Sequence, residues 1–469
     1  MMRTFNLKCK IITPLFLGGA KQQAELRTQS INGILRWWFR IAGGSIEDER
    51  RIFGWGGEGA NQGLVRMSLG KEEFNKAFLE KEIERTEKEM EETEEKLKEE
   101  KNHEEKQELQ KKLNSLKERL DQLTQIKNKI EEFLSKSENE RIKEIVKYFY
   151  FIYYPIYLKL EGYSYLGFSL KANQRELIPE DTTFTLTIRF HPKSTDEDIK
   201  KFFCALWLAF NLGNFGSRSR RGLGSVMIEE IKGDFPNNFN LKFKPEDNIE
   251  KWLKEQLNYI KSLGFWQARN DIPFVFSENF KIYKVEKENF KKWGDWVEKV
   301  QSGRSGRYLK NSWGLKQIIN WQEILDFMGF LLMAFRSYRN PDYQNAKNIL
   351  QGNRTNNLFE RPIFGLPLNF FYSSINKKGQ VNLINLKQGN ENLRRASPLM
   401  FKILKFGNNY EGFFIVAKSK FMPGESKLVF SGVDVNLPSN KWKALDEFIK
   451  ALLEEYNIIK EVKICSNSK

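Results

Sequence analysis

An α+β fold is predicted from three observations. Several short stretches alternate apolar and polar residues with the two-residue period of a half-buried strand. Between them lie segments with apolar stripes at helical spacing. One Glu- and Lys-rich segment, residues 80–147, contains no Gly or Pro and breaks that rhythm.

The first strand spans residues 5–11, where Phe5, Leu7, Cys9 and Ile11 alternate with Asn6, Lys8 and Lys10. The loop TPLFLGGAKQQAELRTQ follows, turned by Gly18 and Gly19. Ser30 is placed to cap a helix of about a dozen residues, INGILRWWFRIA, striped by Ile34, Leu35, Trp38 and Ile41. After the Gly-rich RRIFGWGGEGANQG comes a short strand, LVRMSL. YLGFSL reads as another short strand. TTFTLTIRF is a clear one, with Phe184, Leu186, Ile188 and Phe190 on one face. A helix from about Asp196 to Leu212 is apolar on most sides and is expected to be buried. SVMIEEI closes the series. Strand, helix, strand, repeated once, is the split βαβ pattern of a ferredoxin-like domain. In the second half IPFVFS, FKIYKV, MFKILKF and EGFFIVAKS read as strands, and NWQEILDFMGFLLMAFRSY and NKWKALDEFIKALLEEY as helices. A second mixed α+β domain fits them.

The 80–147 segment reads as two helices. Ile83, Met90 and Leu97 form one heptad seam, and Leu109, Leu113, Leu116, Leu120, Leu123, Ile130 and Leu134 form another, out of phase with the first. EEKNHEEK is the turn between them, and one long helix with a stutter is the alternative. Its charges read as a solvated face.

The net charge of +16 is uneven. The 80–147 segment carries −4, which leaves +20 on the other 401 residues. A polyanionic partner follows, with nucleic acid ahead of an anionic membrane. No apolar run approaches the roughly 18 residues of a membrane span, and the start of the chain lacks the apolar centre of a signal peptide. Cys9, Cys204 and Cys465 form no CxxC pair, so neither a zinc site nor a disulfide framework is expected, and a reducing cytoplasmic setting fits. His103 and His191 are the only histidines, which leaves little for His-based metal binding or acid–base chemistry.

Four basic clusters stand out. FGSRSRRGLGS, residues 215–225, sets Arg218, Arg220 and Arg221 among Gly216, Gly222 and Gly224, with Ser217 and Ser219 as further donors. Glycines expose backbone N–H groups, and guanidinium forks suit phosphates. The spacing is neither a P-loop nor a Rossmann fingerprint. Arg218, Arg220 and Arg221 are expected to be exposed, so that their joint replacement by Ala lowers RNA affinity but not the melting temperature. The second cluster combines Lys21 and Arg27 with Arg36, Trp37 and Arg40, where aromatics stack on bases and arginines hold the backbone. Trp38, on the apolar stripe, reads as core. The third is SGRSGRYLKNSWG, residues 302–314, with Arg304, Arg307 and Lys310. The fourth is NLRRASPL, residues 392–399, with Arg394 and Arg395. Each alone competes with a plain solvated loop; together they point to a distributed RNA surface that tracks the backbone.

On ITPLFLGG (12–19), ELRTQSINGILRWWFR (25–40), IFG (52–54), FGSRSRRGLGS (215–225), FGLPL (364–368) and RRASPL (394–399), the chain resembles the RAMP superfamily of CRISPR-associated RNA-binding proteins. Within it the likeness is to the first subunit of type III-B (Cmr) RNA-guided complexes. The resemblance implies two tandem ferredoxin-like (RRM-like, βαββαβ) domains: residues 1–232, interrupted by a coiled-coil hairpin at 73–147, and residues 233–469. It implies a place at one end of a complex, near the guide RNA's 3′ end and the target RNA's 5′ end, beside a neighbouring RAMP subunit. It carries RNA contact onto Lys21, Arg27, Arg36, Arg40, Ser217, Arg218, Arg220, Arg221, Arg394 and Arg395. Gln29 stands where the family commonly has Pro, which makes that loop less rigid.

Family members that cut target RNA use an aspartate in the first strand–helix loop. Here residues 13–30 hold no Asp, and Glu25 is their only acid. Glu176, Asp181, Asp295 and Asp434 are isolated and show no metal-ligand spacing. The expectation is a non-catalytic RNA-binding subunit without metal or cofactor. The competing readings are a nuclease built from carboxylates gathered by the fold, and an assembly subunit whose basic loops grip a protein.

Overall fold

The computed structural model describes residues 2–18, 24–73, 77–100, 102–133, 161–167, 177–245, 248–301, 318–353, 357–387, 391–422 and 424–464. In chain order the N-terminal half runs β1 (Arg3–Ile11), α1 (Thr28–Ala42), α2 (Ile46–Phe53), β2 (Val65–Glu73), α3 (Ala77–Glu99), α4 (His103–Phe133), α5 (Glu161–Leu166), β3 (Thr183–Phe190), α6 (Asp196–Asn211) and β4 (Val226–Lys232). Its sheet has the order β2-β3-β1-β4, with every neighbour antiparallel. The register pairs Phe5 with Ile188 and Leu7 with Leu186, so the apolar set of each strand falls on one face.

The second half runs α7 (Ile249–Ser262), β5 (Phe280–Val285), α8 (Trp293–Gln301), α9 (Trp321–Arg336), α10 (Asp342–Leu350), β6 (Leu368–Tyr372), β7 (Lys377–Asn385), β8 (Glu391–Leu393), β9 (Leu399–Phe406), β10 (Asn409–Ala417), β11 (Ser426–Phe430), β12 (Val433–Val435), α11 (Lys443–Lys450) and β13 (Ile459–Glu461). It forms two antiparallel sheets, β13-β5-β10-β9 and β12-β11-β7-β6, with β8 on β7.

Two apolar clusters explain the layering. One joins the first sheet, α1 and α6 to Phe280, Ile282, Met400, Leu404, Phe413 and Ile415 of the β13-β5-β10-β9 sheet. The other joins Phe401, Ile403, Phe414 and Val416, on the opposite face of that sheet, to α9 and α11. Helix α6 therefore lies between two sheets, which is why its sequence is apolar nearly all round. Thr195 and Asp198 close a reciprocal capping box at its start. The same sandwiching makes β9 and β10 near-continuous apolar runs.

Helices α3 and α4, joined by three residues, fold back along each other and bury Leu113, Leu116 and Leu123 with Thr86 and Thr93. Ile83 and Leu123 reach the core of the second half, and Arg85 lies 3.5 Å from Glu323 on α9.

Three local expectations are corrected. Ser30 does not cap α1: the helix begins at Thr28 after an extended Arg27 that makes no side-chain cap, so Ser30 and Gln29 lie in its first turn. Tyr165 and Leu166 of the expected YLGFSL strand end α5 instead, while residues 168–170 lie outside the described set. Helix α5 crosses α9 so closely that a Cβ on Gly162 would lie 1.9 Å from the Asp326 carbonyl oxygen. IPFVFS is a turn, held against the end of α1 by the Val275 N–H donating to the Ile41 carbonyl at 2.8 Å.

Candidate nucleic-acid interface

The Gly-rich loop is closed at its neck by the backbone. The Phe215 N–H donates to the Gly224 carbonyl at 2.8 Å, and the Gly224 N–H donates to the Pro14 carbonyl at 2.9 Å. Thr13 Oγ1 donates to the Gly222 carbonyl and accepts from the Ser225 N–H, each at 2.8 Å. The Ser217 N–H donates to the Phe16 carbonyl at 2.8 Å. Asn214 Nδ2 reaches the carbonyls of Ser219 and, across the halves, of Phe401. The first loop and the Gly-rich loop are thus one unit, seated on β9.

Further motifs meet this unit. Arg220 lies over the Trp37 ring, 4.8 Å from its centroid, and donates to the Ser397 carbonyl. Arg221 Nη2 lies 3.4 Å from the Phe364 carbonyl. Arg395 donates from Nε to the Phe421 carbonyl at 2.8 Å and from Nη1 to the Ile363 carbonyl at 3.2 Å, stacked 4.2 Å over the Phe421 ring. Leu366 and Arg395 exchange backbone hydrogen bonds at 2.9 and 3.2 Å. Segments from five parts of the chain therefore share one crease between the halves.

The expected exposure of the loop arginines does not hold. Arg218, Arg220 and Arg221 are all half-buried, and Arg218, in the left-handed conformation with φ 60°, precedes a single 3-10 turn over Ser219–Arg221. Burial pushes Arg220, Arg221 and Arg395 down to about 10, so all three remain charged at neutral pH. Joint replacement of Arg218, Arg220 and Arg221 removes packing as well as charge and is now expected to lower stability. Gly216 and Ser217 hold the loop's shape at its start.

Arg36 and Arg40 are committed elsewhere. Both donate to Glu49 on α2, at 2.7 Å from Arg36 Nε and at 2.7 Å from Arg40 Nε and Nη2. Burial works against the Glu49 carboxylate, but the hydrogen bonds from Arg40 and Arg36 hold it below its ordinary range. These arginines tie α1 to α2. Trp37 is half-buried beneath Arg220, and Trp38 is core at 1% exposure, as expected. Arg27 is half-buried at the start of α1, and Arg394 is exposed beside the crease. Lys21, Arg304, Arg307 and Lys310 lie outside the described residues. His191 Nδ1 accepts the Lys193 N–H at 3.2 Å, a local turn contact. Among the described residues no group of three His, Cys, Asp or Glu could hold a metal ion.

Sequence reasoning passed over three basic groups here. Arg336 ends α9 and lies 5.5 Å over the Phe364 ring. Arg361 donates from Nη1 to the Arg336 carbonyl at 2.9 Å. Lys402, 1% exposed on β9, donates to the carbonyls of Phe210 and Gly213 at 2.7 Å each, at the C-terminal end of α6. A Lys between the apolar residues Phe401 and Ile403 of MFKILKF was the available signal. Chemically, the arrangement can hold and orient an anion: guanidinium groups, loop backbone and aromatic rings lie together, without a carboxylate paired to Arg220, Arg221, Arg336 or Arg395 among the described residues.

Burial pushes Lys402 down to about 7. An unfolded lysine keeps its proton to about 10.4. Between these values the unfolded chain binds more protons, so stability rises with pH, by up to about 1.4 kcal/mol per pH unit. Lys402→Met is expected to lack that rise. Denaturant unfolding of both proteins at pH 6.5 and 9 checks it, and parallel pH profiles would refute it.

Residues 8–227 match the family model of the RAMPs, the RAMP superfamily. Over 235 residues the chain is 24% identical to the CRISPR system Cmr subunit Cmr1-2 of Pyrococcus furiosus, covering 47% of this chain and 92% of that protein. Among solved structures it is similar to apo Cmr1 from Pyrococcus furiosus, at 18% identity over 98% of each chain with a TM-score of 0.45. It is also similar to a chain of the Type III-B Cmr-beta bound to cognate target RNA, at 14% identity over 97% of this chain and 99% of that chain with a TM-score of 0.40.

Proposed function

Residues 8–227 belong to the RAMP superfamily, and on that premise we propose that the chain is a non-catalytic RNA-binding subunit of a type III-B CRISPR ribonucleoprotein, acting in antiviral defence. It contacts guide and target RNA near one end of the complex, beside another Cmr subunit, in the cytoplasm and without a cofactor. The observation that carries this reading is the crease: the first loop, the Gly-rich loop, α1, FGLPL and RRASPL converge there, and the guanidinium groups of Arg220, Arg221 and Arg395 have no carboxylate partner among the described residues. Such a surface suits the repeating charge of a phosphate backbone and contacts it without reading bases.

The strand orders support tandem ferredoxin-like domains. Along the first sheet the order is fourth, first, third, second strand, as in a βαββαβ unit. The β13-β5-β10-β9 sheet repeats that order, with β6–β8 and β11–β12 as excursions from it. We place the division at 232/233 and the helical insertion at 73–147. The non-catalytic role rests on a first loop without Asp and on a His191 engaged in its own turn.

Filter binding of labelled single-stranded RNA at several salt concentrations, with and without Mg²⁺, tests the reading. Affinity is expected to fall steeply with salt, log K losing roughly 0.7 per phosphate contacted for each log unit of salt, with the RNA left intact. Arg394→Gln, on the rim, is expected to reduce that slope by about one contact without changing the melting temperature. RNA cut in step with the protein through purification would replace the binding role with a nuclease. Binding that ignores salt, or no binding beside tight association with another Cmr subunit, would favour the assembly role.

A further inference from the structure

Three arginines beneath the Gly-rich loop have more positive charge and more donors than the other described residues satisfy. Arg221 comes from the loop, Arg336 from the last turn of α9, and Arg361 from the 3-10 turn Arg361–Phe364. Phe364 lies between the first two: its carbonyl is 3.4 Å from Arg221 Nη2, and its ring lies 5.5 Å beneath Arg336. The Tyr165 ring flanks Arg336 at 5.9 Å. Arg361 is tied to the same place by its bond to the Arg336 carbonyl.

Arg221 Nη1, Arg336 Nε and Arg361 Nε are buried without a hydrogen-bond acceptor. Asp342, 3.6 Å from Arg361 Nε, is the one carboxylate paired to this group among the described residues. It also accepts the backbone N–H groups of Glu360 and Arg361 at 2.7 and 2.9 Å. The end of α9 offsets part of the Arg336 charge. Among the described residues no carboxylate is paired to Arg221, whose other charged neighbours, Arg218 and Arg220, repel it. Buried charge without a counter-charge is costly, and buried donors without acceptors add to that cost.

We propose that Arg221, Arg336 and Arg361 form the seat of a single phosphate group, and that a phosphodiester of the bound RNA occupies it. A phosphate supplies both missing quantities, negative charge and several acceptor oxygens within one small group, and guanidinium forks match it bidentately. Arg220 on Trp37 and Arg395 on Phe421 then flank the seat along the crease. The RNA half of this inference rests on the function proposed above; the seat itself rests on the three arginines.

The test uses the full chain, inorganic phosphate as probe, and potassium chloride at matched ionic strength as control. Phosphate is expected to raise the melting temperature saturably, and chloride not to. Without phosphate, Arg336→Met is expected to be more stable than wild type, because an uncompensated charge is removed; a purely structural Arg336 gives the opposite sign. With phosphate, Arg336→Met is expected to bind at least about tenfold more weakly, and labelled RNA to bind about tenfold more weakly too. Arg336→Lys, which keeps the charge but loses the fork, serves if the Met variant does not fold, and is also expected to shift the phosphate midpoint upward. Equal phosphate midpoints in wild type and either variant, or a chloride response equal to phosphate, would overturn the seat. A lost phosphate response with unchanged RNA affinity would overturn the RNA assignment, leave the seat to a free phosphate or nucleotide, and leave the wider RNA reading intact. Saturable phosphate with no RNA binding at any salt would sink the RNA reading while upholding the seat.

Discussion

Asp342→Ala is expected to lower stability by about 3–5 kcal/mol, the cost of removing one partner from a buried ion pair. Asp342 opens α10 with no exposure at all. Its two oxygens take the backbone N–H groups of Glu360 and Arg361 and face Arg361 Nε at 3.6 Å. Deletion therefore strands two backbone donors and one guanidinium, and it strands them beside the like charge of Arg336. Burial lowers Arg361 from its ordinary value, Asp342 opposes that, and Arg336 adds to it. Without Asp342 only the lesser effects of Tyr372 and Tyr165 oppose the two lowering causes. Asp342→Asn keeps the shape but leaves one acceptor oxygen, so a smaller loss is expected. Arg361→Met in the Asp342→Ala background is expected to recover part of the loss, since the pair and not either residue sets the cost. Denaturant midpoints of wild type, Asp342→Ala, Asp342→Asn, Arg361→Met and the double variant decide it. Losses that simply add would show that Asp342 acts as a helix-start acid and not as Arg361's partner.

Much of the framework was legible because it depends on local periodicity. The alternation in residues 5–11 and 183–190 places β1 and β3 and the faces they bury. The helix expected from about Asp196 to Leu212 is α6, Asp196–Asn211. The paired seams of 80–134 account for the buried leucines of α4. Burial of the arginines was illegible for a physical reason. Gly and Arg in alternation describe a solvated loop when read locally, yet Arg220 is covered by Trp37 and Ser397, 183 and 177 residues away along the chain for Trp37 and Ser397 respectively. No short-range pattern carries that pairing. The pairing of Arg36 and Arg40 was illegible because their acceptor, Glu49, sits in a helix of about two turns, too short to show a period. Arg336 reads as an ordinary cation at a helix C-terminus until Arg221 and Arg361 are brought beside it by the fold. Five of the motifs that carried the family resemblance are brought to one crease, but which of their arginines face outward was not legible.

Gly224→Ala is expected to cost about 2–4 kcal/mol and to weaken RNA binding beyond that loss. Gly224 has φ +76°, a conformation that strains any side chain. A Cβ there would lie 1.9 Å from the Phe215 carbonyl oxygen, and backbone cannot swing aside as the tip of a lysine would. Phe215 and Gly224 are the two ends of the neck: the Phe215 N–H donates to the Gly224 carbonyl, and the Gly224 N–H donates to the Pro14 carbonyl. Opening the neck to admit a methyl group breaks both bonds. It also moves Gly222, whose carbonyl is held by Thr13, and with it Arg220 and Arg221. The strain and the displaced arginines make separable predictions. Denaturant unfolding reads the first. RNA affinity, measured where the variant is fully folded, reads the second, and Gly264→Ala is the control, since Gly264 has a similar φ of +73° with open space around it and lies in another loop. If Gly224→Ala loses no more stability than Gly264→Ala, the close approach at the neck does not constrain the loop. If it unfolds more easily yet binds RNA with wild-type affinity, the neck serves the fold alone and the arginines it positions are not the ones that hold RNA.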